Sequence, residues 1–221
     1  MTQTVLTVYN EALSLAGAQG KLASTGDLSR GAELCNMHYP RVRDSVFRAA
    51  NWVTLKKTAV LTKVAEKTTS GDWVDGDPLP GWTYAYALPS DYVRARYLEQ
   101  GLSFTFMRRG AELVLCTNAS PAVLTYTFRE TDPAQWELPL YELVVARLAW
   151  VIAKPLGADA GTVDHVLTNF TDAYRRALEE SANAAQLPQQ HAEMFPDWFG
   201  PRDGQRPMMP FYAMPPETLS A

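Results

Sequence analysis

An α+β fold is what this sequence predicts: a four-helix bundle, an inserted antiparallel β-region and an extended C-terminal tail. Three observations predict it. Apolar residues recur at helical spacing toward both ends of the first 186 residues. Between Thr54 and Arg129 the period changes to alternation. After Leu187 proline becomes too frequent for a helix or a central strand. The chain therefore divides into N-terminal helices over 1–53, a β-region over 54–131, C-terminal helices over 132–186 and a tail over 187–221.

The first helix is carried by Val5, Tyr9, Ala12, Leu13 and Ala16 on one face, with Gly17 placed for a C-terminal cap. A polar, glycine-containing loop leads into a second helix from about Arg30 to Ala50, with Cys35, Tyr39, Val42, Val46 and Ala50 as its stripe. Arg41, Arg43, Asp44 and Arg48 fall mainly off that stripe. Pro40 lies inside the pattern and predicts a kink or a short break. In the second half, Leu140, Val144, Leu148, Val151 and Ile152 mark a helix opened by Pro139 and stopped by Pro155. The last helix, about Thr162 to Ala185, is the most periodic. Val163, Val166, Leu167, Phe170, Ala173, Tyr174, Ala177 and Leu178 form its stripe. None of these helices is long enough to be stable alone, so the four stripes are expected to pack on each other.

In the β-region Trp82, Tyr84, Tyr86 and Leu88 alternate with Thr83, Ala85 and Ala87, which reads as a half-buried strand ended by Pro89. Val93–Leu98, Ser103–Arg108, Ala111–Cys116 and Val123–Arg129 read as further strands, and Thr58–Val64 as a first one. Gly101, Gly110 and the Asn118–Pro121 run supply turns. Short connections require antiparallel pairing, and a meander is the simplest arrangement.

The tail is compositionally distinct. Residues 187–221 hold seven of the fifteen prolines and four of the seven methionines, with several aromatics between them. A segment that cannot fold by itself yet carries apolar anchors orders itself on another surface. Its expected docking residues are Phe195, Trp198, Phe199, Met208, Met209, Phe211, Tyr212 and Met214.

Composition narrows the function. Of 221 residues 47% are hydrophobic, and the net charge of −4 disfavours a bulk-electrostatic grip on nucleic acid or an anionic membrane. Cys35 and Cys116 form neither a CxxC pair nor a disulfide framework, which suits a reducing cytoplasm. The opening MTQTVLTVYNEAL lacks the basic start and apolar run of a signal peptide, and no stretch is apolar for long enough to span a bilayer.

The candidate chemistry is sparse. His38, His165 and His191 stand on different segments without a second ligand at metal spacing. Asp72, Asp75 and Asp77 do not follow the calcium-loop template and read as an exposed acidic turn. Ser103 lacks the final glycine of a nucleophile elbow, and the 157–162 run has no phosphate-loop lysine. No cofactor is expected. Two other classes of function remain open beside a structural one. An α+β module could bind a ligand, or stack nucleic-acid bases on Trp82, Tyr84 and Tyr86 beside Arg94, Arg96, Arg108 and Arg109. A peptidoglycan hydrolase would draw on Glu112, Glu137 or Glu142. Packing of the aromatic face on the helices is the simpler account of the first feature.

Three runs, in order and with matching spacing, resemble the tail tubular protein A family, the head-to-tail adaptor of short-tailed bacteriophages. The densest is AELCNMHYPRVRDSVFRAANW, Ala32 to Trp52, with Cys35, Tyr39, Val42, Arg43, Asp44 and Trp52 on the family's pattern. The second is WTYAYALPSD, with Trp82, Tyr84, Tyr86, Pro89 and Asp91. The third spans Tyr126 to Ala149 and includes Asp132, Pro133 and Trp136. Asn51–Thr54 departs from the family's Pro-Trp-Asn-Phe type of run, and the tail is long. The resemblance implies a non-enzymatic virion protein, made in the host cytoplasm and placed at the head–tail junction. It also implies a dodecameric ring between the portal protein and the tail nozzle (tail tubular protein B). Double-stranded DNA would pass through the lumen without tight binding, and no membrane would be involved.

Overall fold

The computed structural model describes residues 3–67 and 81–185. Residues 1–185 make one compact unit. The acidic turn with Asp72, Asp75 and Asp77, His191, and all the docking residues of the 187–221 tail lie outside the described residues.

The four helices begin and end on short polar signals. Helix α1, Val5–Leu15, opens on a reciprocal capping box. The Thr4 hydroxyl accepts from the Thr7 amide at 3.2 Å, and the Thr7 hydroxyl accepts from the Thr4 amide at 2.7 Å. It closes through Gly17, whose left-handed φ of 78° lets the Ala18 amide reach back to the Leu13 carbonyl at 2.9 Å. Helix α2, Arg30–Ala49, is capped by Ser29 and runs through Pro40 without a break, contrary to the expected interruption. The proline removes one backbone donor inside the helix, while tertiary packing of Tyr39 and Val42 beside it holds the helical path. Helix α3, Leu138–Leu156, carries Pro139 in its first turn. Pro155 does not stop it. Gly157 does, at φ 88°, with the Ala158 amide donating to the Ala153 carbonyl at 3.1 Å. Helix α4, Ala160–Ala185, starts at once, with the Asp159 carboxylate accepting from the Thr162 amide and hydroxyl, each at 2.9 Å.

All three other helices pack on α3. This is why α3 is not the one-faced helix that its sequence pattern suggests. Leu140, Leu143, Val144, Leu148 and Ile152 are fully buried, and so are Ala149 and Ala153, whereas Val151 is only half-buried. Helix α4 turns Val166, Ala173 and Ala177 into this core and leaves Leu167, predicted in its stripe, 38% exposed.

Among the described residues seven strands form two antiparallel sheets rather than a meander. They are β1 Lys56–Val60, β2 Lys63–Glu66, β3 Tyr84–Ala87, β4 Tyr92–Leu98, β5 Phe104–Arg109, β6 Glu112–Thr117 and β7 Val123–Phe128. One sheet has the order β1-β7-β4 and the other β2-β3-β6-β5. The single strand expected over 58–64 is divided at 61–62, so that β1 and β2 belong to different sheets. The chain changes sheet again at 88–91, 99–103 and 118–122. Leu61, Tyr86, Leu98, Leu115, Leu124 and Tyr126 form one apolar cluster drawn from both sheets. Both faces of β3 are covered, because Ala85 on its other side joins Ala65, Val114 and Cys116 in a second, smaller cluster.

The hub position of α3 makes a direct prediction. Leu148→Ala is expected to cost about 2–5 kcal/mol in denaturant unfolding, since it opens a cavity among three neighbouring helices. Leu167→Ala, on the exposed flank of α4, is expected to cost less than about 1 kcal/mol in the same measurement.

Candidate functional site

Helix α2 ends at Ala49 with no glycine behind it, so its last carbonyls require donors from elsewhere. They come from β4. The Arg94 guanidinium donates to the Arg48 carbonyl at 2.6 Å. Arg96 donates to the carbonyls of Phe47, at 3.2 Å, and Ala50, and through Nε to the Thr127 hydroxyl at 2.7 Å. Two cations at a helix C-terminus also suit its dipole. Just beyond, the Trp52 indole donates to the Val46 carbonyl at 2.9 Å and folds the exit of α2 back on itself.

One turn before that end, Asp44 joins two guanidiniums. Its Oδ1 accepts from Arg43 Nε and Nη2 at 3.0 and 2.9 Å, and its Oδ2 accepts from Arg129 Nε at 3.0 Å with the Arg129 Nη2 in ion-pair contact at 2.9 Å. Arg129 follows β7, so the pair ties helix to strand exit. Arg43, expected off the buried stripe, is in fact 9% exposed and lies 5.8 Å from the centre of the Tyr39 ring. Tyr39 in turn meets Tyr9 edge-on at 5.4 Å. Asp91 completes the same region: it accepts from Tyr126 at 2.9 Å and Lys57 at 2.8 Å, and its carbonyl accepts from the Arg129 amide at 2.7 Å. Burial opposes the Asp91 charge, but the Lys57 ammonium and the Tyr126 hydroxyl outweigh it and hold the carboxyl below its ordinary range. Asp132 caps the turn at Pro133–Gln135, Pro133 is buried, and Trp136 meets Phe47 edge-on at 5.5 Å.

The sequence motifs are thus distributed unequally. Arg43, Asp44, Trp52, Asp91, Asp132 and Pro133 gather where the chain passes between helices and strands, while Tyr39 lies between Arg43 and Tyr9 of α1. Tyr84 and Tyr86 do not, and neither packs on the helices. Tyr86 is 2% exposed in the inter-sheet cluster, with its hydroxyl on the Ala119 carbonyl at 2.8 Å. Trp82 leaves their face altogether and packs on the Ala85 and Cys116 side, because it precedes the regular strand. Pro89 accepts from the Tyr92 amide at 3.0 Å in the turn to β4.

Trp82, Tyr84 and Tyr86 therefore do not share one exposed face. Tyr86 is buried, Arg94 and Arg96 serve helix carbonyls, and Arg108 and Arg109 reach the carbonyls of Ala111 and Val64 at 3.4 and 3.3 Å. His38 on α2 is half-buried and His165 on α4 exposed, with Arg41 and Asn169 beside them at 3.3 and 3.2 Å. Among the described residues no group of three His, Cys, Asp or Glu is placed to hold a metal ion. No helix among them is long and apolar enough to cross a membrane. Burial pushes the Cys35 thiol up to about 11 and raises Cys116 as well, which leaves both as inert core groups. Glu112 is on β6, Glu137 precedes α3, and Glu142 lines a groove that contains neither of the others.

That groove, of about 790 Å³, runs between α1, α3 and α4. Glu11, Glu142, Asp172 and Glu179 line it together with Arg175 and Arg176. Arg175 pairs with Asp172 at 2.7 Å, and Arg176 approaches Glu142 at 3.8 Å. The helix-capping role of Arg94 and Arg96 was not foreseen, although two signals for it are present in the sequence: α2 lacks a terminal glycine, and the two arginines share one face of a strand. No protein-family model matches the chain, and no curated protein matches it.

Two measurements check this description. Asp44→Ala leaves Arg43 buried without its carboxylate and is expected to cost about 2–3 kcal/mol of stability, read by chemical denaturation. The second is alkaline titration. Burial is the leading cause that raises Tyr9, Tyr39, Tyr126 and Tyr141 to about 12, with the Asp91 charge adding to it at Tyr126. Their pKa is higher folded than unfolded, so the stability they contribute is complete below pH 10 and is lost as pH rises toward 12. Tyrosinate absorbance is expected to show these four of the ten tyrosines ionising late, together with unfolding.

Proposed function

We propose that this chain is a structural virion protein, a head-to-tail adaptor of a short-tailed bacteriophage similar to tail tubular protein A, and that it is not an enzyme. In this reading α1–α4 are a four-helix bundle with the β-region inserted between its second and third helices. Copies assemble as a dodecameric ring at the head–tail junction, between the portal protein and the tail nozzle. Double-stranded DNA passes through the lumen. The net charge of −4 favours that passage, because weak repulsion lets a duplex slide where counterion release would hold it.

The observation that carries the reading is what the motif residues do. Asp44 ties α2 to the exit of β7 through Arg129, Trp52 folds the exit of α2 back on Val46, Asp91 holds β1 and β7 through Lys57 and Tyr126, and Asp132 caps the turn before α3, as fold-defining residues of a structural family would. Apart from the buried Tyr39 hydroxyl, which has no hydrogen-bond partner among the described residues, the polar groups of these residues bond one another or nearby backbone rather than aiming into a cleft, which supports a scaffold over a catalyst. In the same reading the 187–221 tail is an extended clamp on the portal or on a neighbouring copy. Phe195, Trp198, Phe199, Met208, Met209, Phe211, Tyr212 and Met214 are its anchors, each aromatic contributing on the order of 1–3 kcal/mol where fully buried.

The test is assembly on a purified portal ring followed by electron microscopy. The free chain is expected to be mostly monomeric at micromolar concentration and to close into a ring only on the portal, since a single side contact does not offset the entropy of association. A stable two-fold dimer as the sole species, or no binding to the portal, refutes the adaptor. Truncation after Ala185 tests the clamp. The shortened chain should keep its melting temperature and fail to join particles, and loss of the fold or normal incorporation refutes that role.

A further inference from the structure

The two flanks of α4 differ in shape and charge, and they complement each other. On one side of its buried Val166, Ala173 and Ala177 line, Asn169, Asp172 and Arg176 form a wall of the groove. Four carboxylates line this groove against two guanidiniums, so it is net acidic. On the other side Phe170 and Tyr174 meet α3 in a ridge. The Trp150 and Phe170 rings are stacked at 5.7 Å and within 3° of parallel, and Tyr174 follows at 6.2 Å. Trp150 is 37% exposed and Leu167 38% exposed. The Arg147 guanidinium lies 5.5 Å from the centre of the Phe170 ring, and among the described residues it makes no ion pair.

An exposed tryptophan on a stacked phenylalanine, beside an arginine held by an aromatic face and lacking a carboxylate, has the composition of an interface centre. A ring of identical copies needs two different, complementary surfaces on each copy, so that each contact is head-to-tail. We propose that the Arg147–Trp150–Phe170 ridge of one copy seats in the α1/α3/α4 groove of the next. The apolar rings meet the Leu15 and Ala146 part of the groove, and Arg147 enters its acidic lining. This inference rests on the ring reading and identifies the two faces that make it.

Two single-cysteine reporters test it in the full chain: Ser14→Cys at the groove, and Lys154→Cys one turn beyond Trp150. Both sites are exposed, whereas Cys35 and Cys116 are buried. The two chains are mixed at the highest concentration they reach and treated with a short bismaleimide. A cross-linked dimer is expected in the mixture and in neither chain alone. Arg147→Glu, placed in the Lys154→Cys chain, is expected to lower the yield by about fivefold or more. Efficient dimers of the Lys154→Cys chain with itself indicate a two-fold contact and overturn the proposal. So does the absence of product in the mixture, or a yield unchanged by Arg147→Glu. Mixed dimers from a chain that never joins a portal leave the contact standing and refute the adaptor. Portal-bound rings without this product do the reverse.

Discussion

The last carbonyls of α2 are answered from the β-region, by Arg94 and Arg96 on β4, and the ionic tie of Asp44 to Arg129 lies one turn away. Helix and sheet have separate apolar cores: the helical one takes in Val93 of β4, and the other lies between the sheets. Between two such cores, directional contacts decide the relative placement, because hydrophobic burial carries little orientation of its own. Hydrogen bonds to charged groups are strong and geometrically specific. A guanidinium that satisfies a helix end therefore does two tasks at once. It relieves unsatisfied carbonyls and sets where the sheet stands.

Around α3 the constraint is different. A helix with neighbours on three sides has almost no position that tolerates a polar side chain, and its buried surface runs nearly all round. The exceptions are informative. Past its first turn, Glu142, Trp150 and Lys154 are the residues that α3 leaves exposed, with Arg147 half-buried beside them. The α3–α4 connection is equally constrained, with the Gly157 reversal followed directly by the Asp159 cap. The turn has little freedom, so the two flanks of α4 are held firmly relative to α3.

Helices were legible from their apolar stripes, and in α1 and α3 also from the punctuation of Gly17 and Pro139. Pro155 misled because a proline near a C-terminus loses only one interior bond, whereas Gly157 supplies the left-handed turn that ends a helix. The strands were legible as strands, yet alternation specifies which face a residue takes and not which strand lies beside it. Chain crossings between sheets, as at 61–62, leave no periodic signature. The arginines of β4 show the same limit at the candidate site. Their clustering was visible, but the carbonyls that they cap belong to a helix more than forty residues earlier.

The position of α3 along the chain has a consequence for biosynthesis. Helices α1 and α2 emerge from the ribosome first, yet the surface on which their stripes are buried begins at Leu138, beyond the midpoint of the chain. They touch each other only slightly. Until translation reaches Leu156 their apolar faces have nothing to cover them, and the β1 strand waits longer than β3 or β6 for its partner β7. A nascent chain in this state is a natural client for a holding chaperone. Folding of the N-terminal helices is then gated by translation, and a pause in elongation before α3 has left the ribosome prolongs that exposure.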